Sequence, residues 1–417
     1  MTSPPPQSLT SDTLDTDRLW RRIMRLAEIG ATRRGGVNRP SLSPEDIAAR
    51  RLICDWGRDI GLTASNDAVG NLYLRLEGER SGAEPVLCGS YLDTQPDGGK
   101  FSGAFGMLAA IEAAAAIVRA GRRPKVPIVL ATWMNGEGAR FSPGCMGSAA
   151  FTGRMQVEEL MRVEDEHGTS VAAALESLYA SEAHLYRRPL GFACRAYVEL
   201  QLEQGRVLEQ SASTIGFVTE MTGTRRFRIH VIGEAGHAGS SSRKGRKDAL
   251  LAAVRIIGAL DRFYSAPDAS FTVGQMRLRP NAPSVVPGEA IFSLDLRHSD
   301  LVTLRRLGDT LRLICESERG SCDFRVVETS FDGPVTLSAS VAAKVTAAAD
   351  RLCLPHRPLV TRTGHDVREL SHVCPSGLIL IPCRQGISHN EAEWAEPEHV
   401  AAGARVLTDT LWALAED

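Results

Sequence analysis

Short apolar runs bounded by glycine and proline alternate along this chain with longer stretches of helical period. Leu19, Ile23, Met24 and Leu26 share one face of a helix predicted from about Leu14, and a second helix is predicted from Ser43, whose hydroxyl can cap it, toward Gly61. Then come NLYLRLEG, PVLCGSYLD and VPIVLATWM, each the length of a strand. Between the last two lies GAFGMLAAIEAAAAIVRAG, apolar nearly all round, which predicts a buried helix. Strand, buried helix, strand is a βαβ unit, so an α/β fold with a mostly parallel sheet covered on both faces is expected.

From about Gly216 to Thr329 the texture changes. FRIHVIGEAGHAG reads as a strand, DALLAAVRIIGALDRFYSA as a helix, FTVGQMRLR and AIFSLDLRH as strands, LVTLRRLGDTLRLICESE as a helix and CDFRVVETS as a strand. That order, βαββαβ, is the ferredoxin-like split unit. After Gly333 the first texture resumes with a helix around Val341 to Leu354, the strand GLILIP and a last helix from Pro397. The expected organisation is a disordered, proline-rich tail over 1–16, an α/β domain over 17–212 and 330–417, and an inserted domain over 213–329.

Composition narrows the function classes. At 417 residues two domains are the default, and 48 basic against 50 acidic residues, without any long block of one sign, make nucleic acid or an anionic membrane an unexpected partner. Nine scattered cysteines with no CxxC pair read as reduced thiols, and no stretch reaches the roughly 18 apolar residues of a membrane span. A cytoplasmic protein is the expectation.

The segment GSYLDTQPDGGKFSGAFG, 89–106, joins an apolar strand to the buried helix, the place where an α/β enzyme keeps its chemistry. With DAVGNLYLRLEG (67–78), NGEGARF (135–141), ELQLEQGRVLE (199–209), GEAGHAGSSSRKGRKDA (233–249), PNAPSVVPGEAIFSLDLRH (280–298), TGHD (363–366) and GISHNEAEW (386–394), it forms an ordered string of motifs. The string resembles the dinuclear-zinc aminoacylase and carboxypeptidase superfamily, in the branch of N-carbamoyl-L-amino acid hydrolases, zinc-type β-ureidopropionases and allantoate amidohydrolases. The resemblance implies a catalytic α/β domain and a lid that also serves dimerisation, hence a homodimer.

It also implies a chemistry that these residues fail to supply. The family's GSHxDT, FDG, NEEG, ELHIEQG and GISH give histidine, bridging aspartate, base and glutamate ligand, histidine and histidine. The same places here hold Tyr91, Ser102, Gly136 followed by Glu137, Gln201 and His389. Only Glu137 and His389 survive as ligands, whereas catalytic zinc takes about three protein ligands plus water. No metal cofactor is therefore expected, with one zinc or manganese ion as the residual alternative.

The remaining matches concern substrate. His237 corresponds to a lid histidine that in relatives stabilises the oxyanion in the partner subunit's site, and Arg297 to the arginine that pairs with the substrate carboxylate. Ser284 replaces the asparagine that assists it, while His365 and Arg384, with Gln201, fall at places that line the pocket. The resulting expectation is an amidohydrolase-like enzyme acting on a non-peptide C–N bond of a small ureido, N-carbamoyl or amide acid. Its catalytic residues would be Glu137, His389, Tyr91 and His237. Two alternatives remain: a non-catalytic ligand-binding or partner subunit of the same fold, and a single-metal hydrolase.

Overall fold

The computed structural model describes residues 10–265 and 270–417. The chain forms two compact units, one of Met1–Thr219, Leu337–Leu359 and Thr363–Asp417, the other of Glu220–Thr336 with Val360–Arg362.

The first unit is built on buried apolar strands. Ser376–Ile381, Ala196–Leu202, Val86–Ser90 and Ile128–Thr132 lie side by side and parallel, every residue of each buried. Leu72–Leu76 then joins antiparallel, followed by Thr63–Asn66. The predicted all-round apolar helix is Ala104–Arg119, and it packs against Val86–Ser90, Ala196–Leu202 and the terminal helix Pro397–Glu416. Within it Glu112 is fully buried and paired with Arg18 and Arg22 and with Arg119 at the end of the same helix. Ser43 caps the helix Pro44–Arg58 as expected, its hydroxyl accepting the Asp46 N–H.

Three boundaries need correction. The tail expected over 1–16 does not extend that far: residues 1–9 lie outside the described part, but Thr10–Thr13 forms a turn in which Ser11 donates from both N and Oγ to the Asp409 carboxylate, at 3.1 and 2.9 Å. The inserted unit also starts later than 213, because the strand Ile215–Met221 pairs antiparallel with Ser376–Ile381 through Phe217 and Gly216. It ends later than 329, because the strand Asp323–Asp332 continues its pairing as far as Asp332↔Thr224.

The second unit has the predicted order. Strand Gly223–Ile232, helix Ala249–Phe263, the broken strand Ser270–Thr272 and Met276–Arg279, strand Glu289–His298, helix Leu301–Glu318 and strand Asp323–Asp332 form one antiparallel sheet under two helices. Alternate residues of Glu289–His298 are buried, so Ala290, Phe292, Leu294 and Leu296 meet Ile256, Leu260 and Leu311 in a separate core. The strands that leave and re-enter this unit are neighbours, with Met221 opposite Val335 and Glu220 opposite Thr336. Among the described residues no helix is long and apolar enough to cross a membrane, and all nine cysteines are free thiols.

Candidate functional site

The four parallel strands end at Ser90, Thr132, Leu202 and Ile381, and the segments that follow carry Tyr91, Glu137, Glu203 and His389. Glu137 is the centre of the arrangement. Its side chain is 4 % exposed, and its Oε2 lies 3.5 Å from His389 Nε2 and accepts the Gln95 amide at 3.0 Å. Burial pushes its pKa up, against the opposing pull of His389, Gln95 and the Tyr91 hydroxyl. The loop is pinned from below by Asp93, whose carboxylate accepts the N–H groups of Gly136 and Glu137 at 2.9 and 3.1 Å. Burial, with Asp46 and Glu137 nearby, raises the Asp93 pKa well above its usual value.

Tyr91 is buried, and burial followed by the charges of Glu137, Glu199, Asp366 and Asp93 holds it far above an ordinary phenol, so it is a neutral hydrogen-bond donor. Its ring covers Gly103 and Gly136: a Cβ at Gly136 would meet Cγ at 2.3 Å, and one at Gly103, whose φ is +70°, would meet Cδ2 at 2.3 Å. The aromatic ring thus occupies the room that a side chain at position 136 would need. His389 also has positive φ, at 55°, and is half-exposed, with Nε2 3.1 Å from the Gln204 amide.

The donor set fits a pair of zinc ions poorly. Ser102 Oγ donates to Glu393 Oε2 at 2.6 Å, and the same carboxylate takes the N–H groups of Phe101 and Ser102. Gln201 is buried and spent, its Nε2 donating to Ser90 Oγ and Glu199 Oε1 and its Oε1 accepting from the Gly103 N–H. Among the described residues no three histidine, cysteine, aspartate or glutamate side chains converge on one point. Neutral oxygens already bound to protein partners supply none of the charge that a bridging carboxylate gives.

Beneath Gln201 lies a buried polar layer. Glu199 accepts from the Val367 N–H, Gln201 and Tyr197, and burial pushes its pKa up to about 7. His365 is buried against Thr363, and burial together with Arg368 takes its pKa down to about 3. Burial and then Glu199 hold Asp366 well above a usual carboxyl, with Ser148 donating to it.

The expected binding residues lie in different surroundings. Gln201 and His365 face protein rather than an open pocket, because burial has directed their polar atoms inward. Arg384 is exposed and stacks on Trp394 while donating to Glu396 at 2.9 and 2.6 Å. In the second unit Arg297 is held by Asp295 through bonds of 2.8 and 3.1 Å and donates to the Arg362 carbonyl. His237 is exposed, its Nδ1 accepting from Gly239 and Ser240, and the Ser284 carbonyl accepts the Ala238 N–H. Glu203 is structural, capping Val207 and Leu208 at 2.8 Å each. Sequence reasoning passed over Gln95, although it lies two residues after Asp93 in the same motif. A cavity of about 360 Å³ is lined by Thr94 and Pro96, on either side of Gln95 in the chain, together with Ala139, Arg140 and His167.

An α/β unit with its polar cluster after the ends of parallel strands, interrupted by a βαββαβ unit, defines the class: a two-unit α/β fold that carries its site at the carboxyl ends of its strands. The pattern of Peptidase family M20/M25/M40 matches residues 88–413, and the chain belongs to that family. It is 36% identical over 410 residues to the N-carbamoyl-L-amino-acid amidohydrolase of Rhizobium meliloti, covering 97% of each chain. It is 33% identical over 401 residues to the allantoate amidohydrolase of Bacillus subtilis, covering 94% of this chain and 95% of that one. The crystal structure of a hydantoinase/carbamoylase family amidase from Burkholderia vietnamiensis aligns with a TM-score of 0.90 at 35% identity, covering 98% of this chain and 99% of that chain.

Proposed function

We propose that this chain is an amidohydrolase acting on a non-peptide C–N bond of a small ureido, N-carbamoyl or amide acid, with Glu137, His389 and Tyr91 working where the family resemblance implies two zinc ions. The reading rests on one observation, the 3.5 Å approach of His389 Nε2 to the buried Glu137 carboxylate. A carboxylate whose pKa is raised by burial is a stronger base than one in water. Glu137 takes a proton from a water as its oxygen adds to the substrate carbon. The Tyr91 hydroxyl donates to the oxygen on which charge develops. His389, 3.5 Å from that carboxylate, passes the proton on to the departing nitrogen as the C–N bond breaks. Arg297 and His237 are assigned the ligand carboxylate and the oxyanion, as the resemblance implies. The nine free thiols suit a cytoplasmic protein.

A second reading, binding without turnover, draws on the Tyr91 ring over Gly136, which leaves no room for the family's base. One set of experiments separates the readings. Purified protein freed of metal by chelation is assayed for ammonia release from N-carbamoyl amino acids and ureido acids. Turnover that falls at least about 10²-fold in Glu137→Gln supports the proposal. Turnover that appears only with added zinc or manganese indicates a single-metal hydrolase. Thermal stabilisation by such an acid without any turnover leaves the binding protein.

A further inference from the structure

Glu393 follows His389 in the same motif and is 2% exposed, yet the proposed reaction gives it no task. Its Oε1 accepts the N–H groups of Phe101 and Ser102 at 3.1 and 2.9 Å, and its Oε2 accepts the Ser102 and Ser388 hydroxyls at 2.6 and 2.7 Å. An ionised carboxylate offers about four acceptor positions, so neutral donors fill this one. Phe101 and Ser102 belong to the segment after Val86–Ser90, whereas Ser388 and Glu393 belong to the segment after Ser376–Ile381. A glycine permits the approach, because a Cβ at Gly99 would fall 2.1 Å from Glu393 Oε1. The same carboxylate closes a short loop around His389. Besides the bond from Ser388, the Glu393 N–H donates to the Asn390 carbonyl at 3.0 Å, and the Asn390 side chain accepts the Ala392 N–H at 2.9 Å. On the outer side the Thr32 hydroxyl donates to Glu391. His389 sits in this loop at φ 55°, a conformation that a non-glycine residue keeps only where its surroundings hold it.

We infer that Glu393 is a positioning residue: its carboxylate ties the segment of Ser102 to the loop of His389 and so sets the 3.5 Å approach of His389 to Glu137. The family resemblance implies metal ions joining the same two segments, through the places that Ser102 and His389 hold. Here hydrogen bonds make that join, and the Ser102 hydroxyl is one of the donors. The consequence for turnover rests on the acid–base reading of Glu137 and His389, but the tie itself does not.

The test uses the full chain with isotope-labelled histidine and reads the side-chain magnetic resonance signals of His389 at one fixed pH, assigned by their loss in His389→Gln. The unmodified chain should give one sharp set that a chelator leaves unchanged. Glu393→Ala should split or broaden the set. Glu393→Gln should restore it, because the amide oxygen still accepts the two N–H groups and the amide nitrogen can donate to the two hydroxyls. If Glu393→Ala fails to fold, Ser102→Ala combined with Ser388→Ala removes the hydroxyl half of the tie and should disturb the signals in the same way. In ammonia release Glu393→Ala should lower kcat at least about tenfold with KM changed less than about twofold, and Glu393→Gln should recover most of the loss. His389 signals that are alike in Glu393→Ala and the unmodified chain overturn the positioning role, and so does a Glu393→Gln protein as disturbed as Glu393→Ala. Signals that broaden with chelator and sharpen with added zinc also overturn it, since a metal would then make the join. An unmodified chain that releases no ammonia, while the signals behave as expected, overturns the proposed reaction and upholds the tie.

Discussion

A side chain placed at position 136 measures how tightly the Tyr91 ring packs over it. The new Cβ of Gly136→Glu would fall 2.3 Å from the aromatic ring. Overpacking of that kind costs about 1–3 kcal/mol, so urea denaturation should show a loss of this size, and Gly136→Glu combined with Tyr91→His should recover most of it. Equal losses in the single and double variants would show that the ring moves aside freely. Arg297 gives a second test at this scale. Arg297→Ala should weaken binding of a carboxylate ligand at least about tenfold in titration calorimetry, since removing one partner of such a contact commonly costs about 2–5 kcal/mol. The fold should survive, because Leu294 and Leu296 carry the packing of that strand. Unchanged affinity would mean that Asp295 keeps the guanidinium to itself. Residue identity made Tyr91, Ser102, Gly136 and Gln201 stand out in sequence against the motifs that the chain resembles. That the Tyr91 ring lies over Gly136, and that Glu393 reaches Ser102 across 291 positions, depends on long-range folding which no local pattern encodes.

Among the elements, the helix Ala104–Arg119 and the split βαββαβ unit were readable because each carries its own period. The strand Ile215–Met221 was misassigned because its partner lies some 160 positions further on, in Ser376–Ile381. The turn at Thr10–Thr13 was missed for a similar reason, its anchor being Asp409. The ion pair that ties the helix Pro44–Arg58 to Val171–Ser181 offers a quantitative test. Arg50 and Glu182 meet at 2.7 Å with side chains 2% and 5% exposed, and Asn66 donates to the same carboxylate. Glu182→Ala removes the hydrogen-bonded partner of a buried guanidinium, leaving only the charge of Asp46 near it, and should cost about 3–5 kcal/mol in denaturant unfolding. Burial opposes the Glu182 charge, but Arg50 and Asn66 outweigh it and hold the carboxyl below its usual range. A carboxyl depressed in the folded state stabilises above its unfolded pKa near 4.3, and that contribution drains away as pH falls through the folded value. Unfolding free energy should therefore decline on acidification below about pH 5, with a shallower slope in Glu182→Gln. Parallel slopes in the two proteins would remove the pair from the acid response.

At the scale of the molecule, metal content and assembly follow from the same residues. Elemental analysis of protein purified without chelator should return well under one zinc per chain, because Tyr91, Ser102 and Gln201 are neutral donors already engaged. Two tightly held zinc ions would return the chain to its family's ordinary chemistry. Light scattering at micromolar concentration should report a homodimer, and a monomer would remove the role assigned to His237.

The pairing of Met221 with Val335 has a consequence for how such a chain can be cut and spliced. Antiparallel partners stand only about 5 Å apart, the spacing that a two-residue hairpin loop spans. The excursion from Thr222 to Pro334 hangs from a gap that a two-residue loop such as Asn-Gly could close. A gene in which such a loop replaces the excursion should still encode a cooperatively melting protein with the first unit's far-ultraviolet dichroism. Each half of the fold could then be exchanged like a cassette, its joint hidden in the rungs of a sheet.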